Sequence, residues 1–185
     1  MSNAMQNPVK RKLKNGQKTI GAFSQIISPA SAEIMSQSGF DWVIVDLEHA
    51  PGDFANLQAQ LQAMNGSGVV PFARASWNDM VAIKRTLDTG VMGVLIPYVN
   101  TREEAVAAVA ACKYPPLGVR GVAGSPRAAG YTRNTMPYLT SANDEVVVMI
   151  AVETMEAVEN LDEILTVEGL DGIFIGPVDL ASSMG

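Results

Sequence analysis

Charged and polar side chains follow four apolar runs of this sequence, each at the point where the run ends. The four places are Asp46 to His49 after residues 42–45, Arg74 after residues 69–73, Glu153 after residues 146–152, and Gly176 to Asp179 after residues 172–175. If the runs are parallel strands, their carboxyl ends share one rim, where active sites form. Carboxylates beside an imidazole and a guanidinium favour proton transfer and anion binding there.

Glu153 and Asp179 are the candidate metal ligands. Carboxylate oxygens suit Mg2+ or Mn2+, and Co2+ is also compatible; such ions keep water ligands and leave room for an oxygen-rich substrate. A structural zinc site is not predicted, because no set of cysteines and histidines accompanies the two carboxylates. A helix N-cap for Asp179 and an ion pair for Glu153 are the alternatives.

His49 is the single histidine of the chain and the candidate general base. Asp46 stands three residues before it, and a carboxylate can hold an imidazole in one tautomer and raise its basicity. The alternative is a hydrogen-bonded histidine with a structural role.

Arg74 is the candidate for binding a substrate carboxylate, because arginine grips carboxylates through two parallel hydrogen bonds and keeps its charge. The alternative is a salt bridge at the rim. The lysines are Lys10, Lys12, Lys14, Lys18, Lys84 and Lys113. None of them ends a predicted strand, so Schiff-base chemistry is disfavoured and a metal is expected to stabilise the developing charge.

Short apolar runs alternate with amphipathic stretches along the whole chain. The predicted strands are residues 19–24, 42–46, 69–74, 93–97, 146–152 and 172–175, and the predicted helices are residues 30–38, 53–65, 78–89, 102–112 and 155–165. Nearly continuous apolar strands are typical of a parallel sheet covered on both faces. The pattern predicts an α/β fold, either a (β/α)8 TIM barrel with about six βα units in this chain or an open doubly wound sheet.

Residues 5–185 are predicted to be a single domain that lacks the last two units of a barrel, and residues 1–4 are interpreted as a tag remnant. The repeat of strand–helix units is interrupted across residues 114–145. The first part of this segment, residues 114–127, is predicted to be a long functional loop, in which Arg120 and Arg127 face an acidic substrate, a neighbouring subunit or solvent.

Composition narrows the classes of function. The net charge is -6, and the only basic cluster, residues 10–14, is predicted to be a solvated helix end, so no nucleic-acid partner is expected. One cysteine, Cys112, excludes an internal disulfide, and no apolar run is long enough to cross a membrane. A reducing cytoplasm fits this composition.

Five segments together resemble the HpcH/HpaI aldolase/citrate lyase family of metal-dependent 2-oxo acid aldolases. They are residues 45–49, 71–74, 114–127, 152–154 and 176–180. The resemblance implies a (β/α)8 barrel, a divalent metal held by Glu153 and Asp179, an oxo acid bound by Arg74 beside Gly176, Pro177 and Val178, and proton transfer by His49 with support from Asp46. It also implies a homo-oligomer, commonly a hexamer.

The chain departs from this family at one position of the predicted site. Ala151 stands where members often have a glutamine, two residues before the metal-binding glutamate. The predicted function is a class II aldolase that reversibly cleaves 4-hydroxy-2-oxo acids to pyruvate and an aldehyde. The alternatives are an acyl-CoA lyase like citrate lyase on the same fold, and a non-catalytic protein that binds metal and oxo acid.

Overall fold

The centre of the protein is a curled, all-parallel sheet of six strands, seen in a computed structural model that describes residues 4–185. The strands are β1 Gly21–Ser24, β2 Trp42–Asp46, β3 Val70–Arg74, β4 Gly93–Ile96, β5 Val147–Val152 and β6 Gly172–Ile175. Each strand pairs in parallel with the next one along the chain. The α/β class and all six predicted strands are confirmed. The interpretation of residues 1–4 falls outside the described residues, except for Ala4.

The strand order distinguishes the two predicted architectures. A doubly wound sheet reverses its strand order near the middle, whereas this sheet runs from β1 to β6 without a reversal. The doubly wound alternative is therefore wrong. Residues 4–185 contribute six strands of a barrel-like sheet and do not themselves form a closed eight-stranded barrel.

Nine α-helices accompany the sheet within residues 4–185. They are α1 Pro8–Lys14, α2 Pro29–Ser36, α3 Phe54–Ala63, α4 Met80–Asp88, α5 Arg102–Cys112, α6 Thr135–Glu145, α7 Met155–Glu159, α8 Leu161–Ile164 and α9 Pro177–Met184. The helix predicted over residues 155–165 is divided at Asn160, whose side-chain amide donates 2.9 Å to the carbonyl of Asn100. Helices α6 and α9 were not among the predicted elements, and α1 was predicted only as a basic helix end at residues 10–14.

Capping side chains start several helices directly after the rim. Asp53 and Thr101 form capping boxes at α3 and α5, while Asp79 and Thr154 accept backbone N–H groups at α4 and α7. Each cap satisfies donors that the first helical turn leaves free. These caps fix the residues at which α3, α4, α5 and α7 begin.

The segment 114–145 is not a single loop. It contains a 3₁₀ turn, Arg127–Ala129, and the helix α6. The sequence signal for α6 is weak because Asn134 makes no side-chain cap and only Tyr138 and Ala142 are buried. Residues 114–126 contain no helix or strand, and α6 lies in the part of the segment for which no element was predicted.

The helix α1 closes the amino end of the sheet. Lys10 Nζ donates 2.7 Å to the carbonyl of Val146 and pairs with Asp171 at 2.9 Å. Asn7 donates to the carbonyl of Met92, and Val9 packs inside the sheet. The prediction of a solvated basic helix end is thus wrong for Lys10, which is buried because it satisfies polar groups at the strand starts.

Arg120 and Arg127 both make contacts within the chain. Arg120 is fully buried: its Nη2 donates 2.8 Å to Asp88 and 3.1 Å to the hydroxyl of Tyr138, and its guanidinium lies over the Tyr114 ring. Arg127 donates to the carbonyl of Thr89 at 2.8 Å, beyond the end of α4. Within residues 4–185, these two arginines therefore join the segment to the helical layer.

Two further features are the single cysteine and the length and polarity of the helices. Cys112 is buried at the end of α5, and burial raises the pKa of its thiol to about 12. Among the described residues, the helices are too short or too polar for a membrane crossing.

We expect Arg120→Ala to lower the free energy of unfolding by about 3 kcal/mol, because it removes a buried cation from its acidic partner and leaves a cavity. Urea unfolding measures the change. Arg133→Ala is the control, since Arg133 is exposed and such substitutions change stability by less than about 0.5 kcal/mol. Equal effects of the two variants would contradict the structural role of Arg120.

Candidate active site

The alternation of side chains along each strand places the predicted site residues on the inner face of the curled sheet. Ile44 and Phe72 lie in the inner core, so Asp46 and Arg74, two residues further along the same strands, face the same way. Ala151 is also internal, and Glu153 follows it by two residues. The structure thus brings side chains from β2, β3 and β5 together at the carboxyl end of the sheet.

Asp46 and Arg74 form a two-pronged ion pair across neighbouring strands. The strand register sets them side by side. Arg74 Nε donates 2.9 Å to Asp46 Oδ1, and Nη2 donates 2.6 Å to Oδ2. Both residues are buried, Asp46 completely. Fork-to-fork geometry fixes the guanidinium in one plane.

Burial alone would raise the pKa of Asp46, but hydrogen bonds outweigh it and lower the pKa to about 2. The donors are Arg74, the side-chain amide of Gln25 at 2.9 Å and the backbone N–H of Glu48 at 3.0 Å. Asp46 is therefore a permanent anion at neutral pH.

Glu48 flanks the other edge of Arg74. Its Oε2 lies 3.0 Å from Arg74 Nη1, and the side chain is only 10% exposed. Burial raises the pKa of Glu48, with a further contribution from the nearby charge of Glu153, and Arg74 opposes the rise. Burial likewise opposes the charge of Arg74, yet the surrounding carboxylates raise its pKa. The rim is thus one coupled cluster of charges.

The imidazole of His49 stands at the edge of this cluster and is half exposed. Its Nε2 lies 3.7 Å from Glu48 Oε2. Asp46 reaches His49 only through the backbone, where its Oδ1 accepts the His49 N–H at 3.3 Å. The carboxylate beside the imidazole is therefore that of Glu48, whereas the sequence analysis expected Asp46 there.

Glu153 is buried at the end of β5, and its Oε1 accepts the backbone N–H of Tyr98 at 2.8 Å. Tyr98 has a φ of 52°, in the left-handed region that non-glycine residues rarely adopt. On the other side lies Gly176, where a side-chain Cβ would come within 2.8 Å of Glu153 Oε2. The absence of a side chain at Gly176 therefore leaves Oε2 room for a ligand.

Asp179 lies in the first turn of α9, whose N-cap is Gly176. The predicted alternative of Asp179 as an N-cap is therefore wrong. Pro177 and Val178 are exposed between these two residues. Within residues 4–185, no three acidic, histidine or cysteine side chains cluster as a complete ligand set. Two carboxylates that leave the other positions to water and substrate fit Mg2+ or Mn2+.

A model of the HpcH/HpaI aldolase/citrate lyase family matches residues 19–185 of this chain. The chain belongs to this family. Its relatives include a 4-hydroxy-2-oxo-heptane-1,7-dioate aldolase of Escherichia coli, which is 46% identical over 182 residues, or 98% of this chain and 69% of the relative. A pyruvate aldolase of Rhizobium etli is 48% identical over 179 residues, or 97% of this chain and 70% of the relative.

Solved structures agree with this membership. The crystal structure of an HpcH/HpaI aldolase/citrate lyase family protein from Burkholderia cenocepacia J2315 has a TM-score of 0.93 and 33% identity, and covers 97% of this chain and 72% of that chain. The family predicted from the five sequence segments is therefore confirmed.

Three residues that make contacts at the rim of this protein were not predicted from its sequence. Glu48 lies in the segment 45–49 but had no predicted role, and no role was predicted for Gln25 or Tyr98. The period-2 alternation along β1 offered a signal for Gln25, because it places residues 21, 23 and 25 on one face. The role of Tyr98 depends on a backbone N–H in a left-handed conformation, which side-chain patterns do not reveal.

A cavity of about 730 Å³ opens at the opposite end of the sheet, near the starts of β3 and β4. Its lining includes Met5, Met64 and Arg127, and none of the predicted catalytic or metal-binding residues. Volume alone does not identify a site, whereas the charged rim combines buried carboxylates with a fixed guanidinium. We therefore place the candidate active site at the rim.

We expect the Asp46–Arg74 pair to make the protein sensitive to acid. The pKa of Asp46 is depressed by folding, so its stabilisation is complete above the ordinary carboxyl pKa of about 3.9 and is lost as the pH falls towards 2. The stability difference between the parent protein and Asp46→Asn should therefore shrink by about 2 kcal/mol between pH 5 and about pH 2. Denaturant unfolding with a chelator present measures it; a difference independent of pH would contradict the ion pair.

Proposed function

We propose that this chain is a metal-dependent (class II) aldolase that reversibly cleaves 4-hydroxy-2-oxo acids to pyruvate and an aldehyde. The observation that carries the proposal is the fixed guanidinium of Arg74 at the same rim as Glu153, Gly176 and the start of α9. The names of the Escherichia coli and Rhizobium etli relatives support the same reaction class. Both relatives are aldolases, which are carbon–carbon lyases.

Arg74 binds the oxo acid in this proposal. Its Nε and Nη2 are committed to Asp46, so the remaining N–H groups are fixed in direction before substrate arrives. The amino end of α9 adds the backbone N–H groups that follow Pro177, which favour an anion. Gly176, Pro177 and Val178 therefore shape the substrate side of the site.

Glu153 and Asp179 would hold the divalent cation, either Mg2+ or Mn2+ with Co2+ as a further option. Their hard oxygen donors and the space beside Gly176 fit such an ion. When bound, the cation supplies Lewis-acid polarisation of the 2-oxo group. The Tyr98 N–H holds Glu153 in a single orientation.

His49 moves the proton. In the cleavage direction its imidazole accepts the proton of the 4-hydroxyl, the C3–C4 bond breaks, and the bonding pair stays on the pyruvate portion as an enolate while the aldehyde leaves. Protonation at C3 then gives pyruvate, and aldol addition reverses these steps. The half-exposed position of His49 leaves it accessible to the hydroxyl or to a bridging water.

The larger architecture is also a proposal. We propose that residues 5–185 belong to a single (β/α)8 TIM-barrel domain that further βα units complete, and that the protein is a cytoplasmic homo-oligomer, a hexamer by family resemblance. The TM-score of 0.93 against a longer family member supports the barrel. Small-molecule 2-oxo acids and aldehydes are the proposed substrates.

The reaction predicts exchange of the methyl protons of pyruvate. In heavy water with Mg2+ or Mn2+, NMR should show loss of the methyl signal, because enolisation precedes addition. Glu153→Ala should abolish the loss. Glu156→Ala is the matched control, since Glu156 is exposed on α7. A folded, metal-supplied protein without exchange would contradict the proposal, and activity on acyl-CoA esters would then favour a citrate-lyase-like reaction.

His49→Ala should lower the turnover of aldol cleavage by about 10²–10⁴-fold, the usual contribution of a general base. Affinity for the metal should change little, because His49 is not among the proposed ligands. Steady-state kinetics and metal titration measure the two quantities. Parallel losses in both would show that His49 serves the metal site instead.

A further inference from the structure

Glu48 lies beside both Arg74, which binds the substrate in the proposed mechanism, and His49, which moves the proton. Its Oε2 lies 3.0 Å from Arg74 Nη1 and 3.7 Å from His49 Nε2. This oxygen is buried and makes no well-formed hydrogen bond within the described residues. A buried carboxylate oxygen thus lies between two potential donors without being saturated by either.

Both carboxylate oxygens of Asp46 already accept hydrogen bonds from other groups. Its Oδ1 accepts from Arg74 Nε and from the backbone N–H groups of Glu48 and His49, and its Oδ2 accepts from Arg74 Nη2 and Gln25. A carboxylate offers about four lone-pair sites, so these five donors leave it no capacity for an imidazole. The side chain that can orient His49 is therefore Glu48.

We propose that Glu48 is a positioning residue with two effects. It holds His49 in the tautomer with its proton on Nε2, and it holds Nη1 of Arg74, which does not contact Asp46, in place. An N–H that faces a carboxylate is favoured, whereas a ring lone pair facing it is repelled. Nδ1 then carries the lone pair that accepts the substrate proton. This inference rests on the proposed aldolase function and adds a residue and an atom to it.

The chain contains one histidine, so the nitrogen NMR spectrum of protein labelled with 15N-histidine reports His49 alone. It should be recorded without substrate, about two pH units above the ordinary imidazole pKa of about 6.5. The parent protein should carry the proton on Nε2, and Glu48→Ala should give a mixture of tautomers. A proton on Nδ1 in the parent protein, or an unchanged tautomer in Glu48→Ala, would overturn the proposal without any reference to activity.

Two further variants separate positioning from general structure. Glu48→Gln keeps an acceptor oxygen but removes the charge. Compared with Glu48→Ala, it should restore the Nε2 tautomer. Compared with the parent protein, its KM for pyruvate in the exchange reaction should be raised by about 10-fold or more. Asp46→Asn should keep the tautomer of the parent protein. A tautomer that changes in Asp46→Asn and not in Glu48→Ala would assign the role to Asp46. A correct tautomer in a protein that exchanges no pyruvate protons would refute the aldolase function and not the orientation of His49.

Discussion

The buried ion pair between Asp46 and Arg74 is the interaction on which the rest of the rim depends. Two charges removed from water are stable only when their geometry and remaining hydrogen bonds are nearly complete. The parallel register supplies the geometry, and Gln25 with two backbone N–H groups supplies the hydrogen bonds. Those backbone groups belong to Glu48 and His49. The same pair therefore fixes the guanidinium and shapes the turn that presents both side chains.

The polar side chains at the two ends of the sheet differ in how completely they are paired. At the amino end, Lys10 and Asn7 of the first helical segment satisfy carbonyls and a carboxylate at the strand starts. At the carboxyl end, Glu48 Oε2 is buried beside Arg74 without a well-formed hydrogen bond among the described residues, and Glu153 Oε1 accepts the Tyr98 N–H. This separation lets the fold be stabilised at one end while charges that favour a ligand accumulate at the other.

The sequence predicts the sheet well because each strand is a short apolar run, and in β2 and β3 the last side chain, Asp46 or Arg74, is charged. The period of two then assigns these side chains to one face. Elements with little apolar signal escape prediction, and α6 is the example, since it buries only Tyr138 and Ala142. The carboxylate beside the His49 imidazole was also not predicted. The sequence spacing favoured Asp46, but other donors occupy the oxygens of Asp46, and Glu48 lies beside the imidazole.

The central claim is that Glu153 and Asp179 form one site with the oxo acid at this rim. Binding of Mn2+ can be followed through the electron paramagnetic resonance signal of the free ion, with and without pyruvate. If both ligands share the site, pyruvate tightens Mn2+ binding and Mn2+ tightens pyruvate binding by the same factor, and Asp179→Asn removes this coupling. Mn2+ affinity that is indifferent to pyruvate in the parent protein, or coupling that persists in Asp179→Asn, would contradict the account.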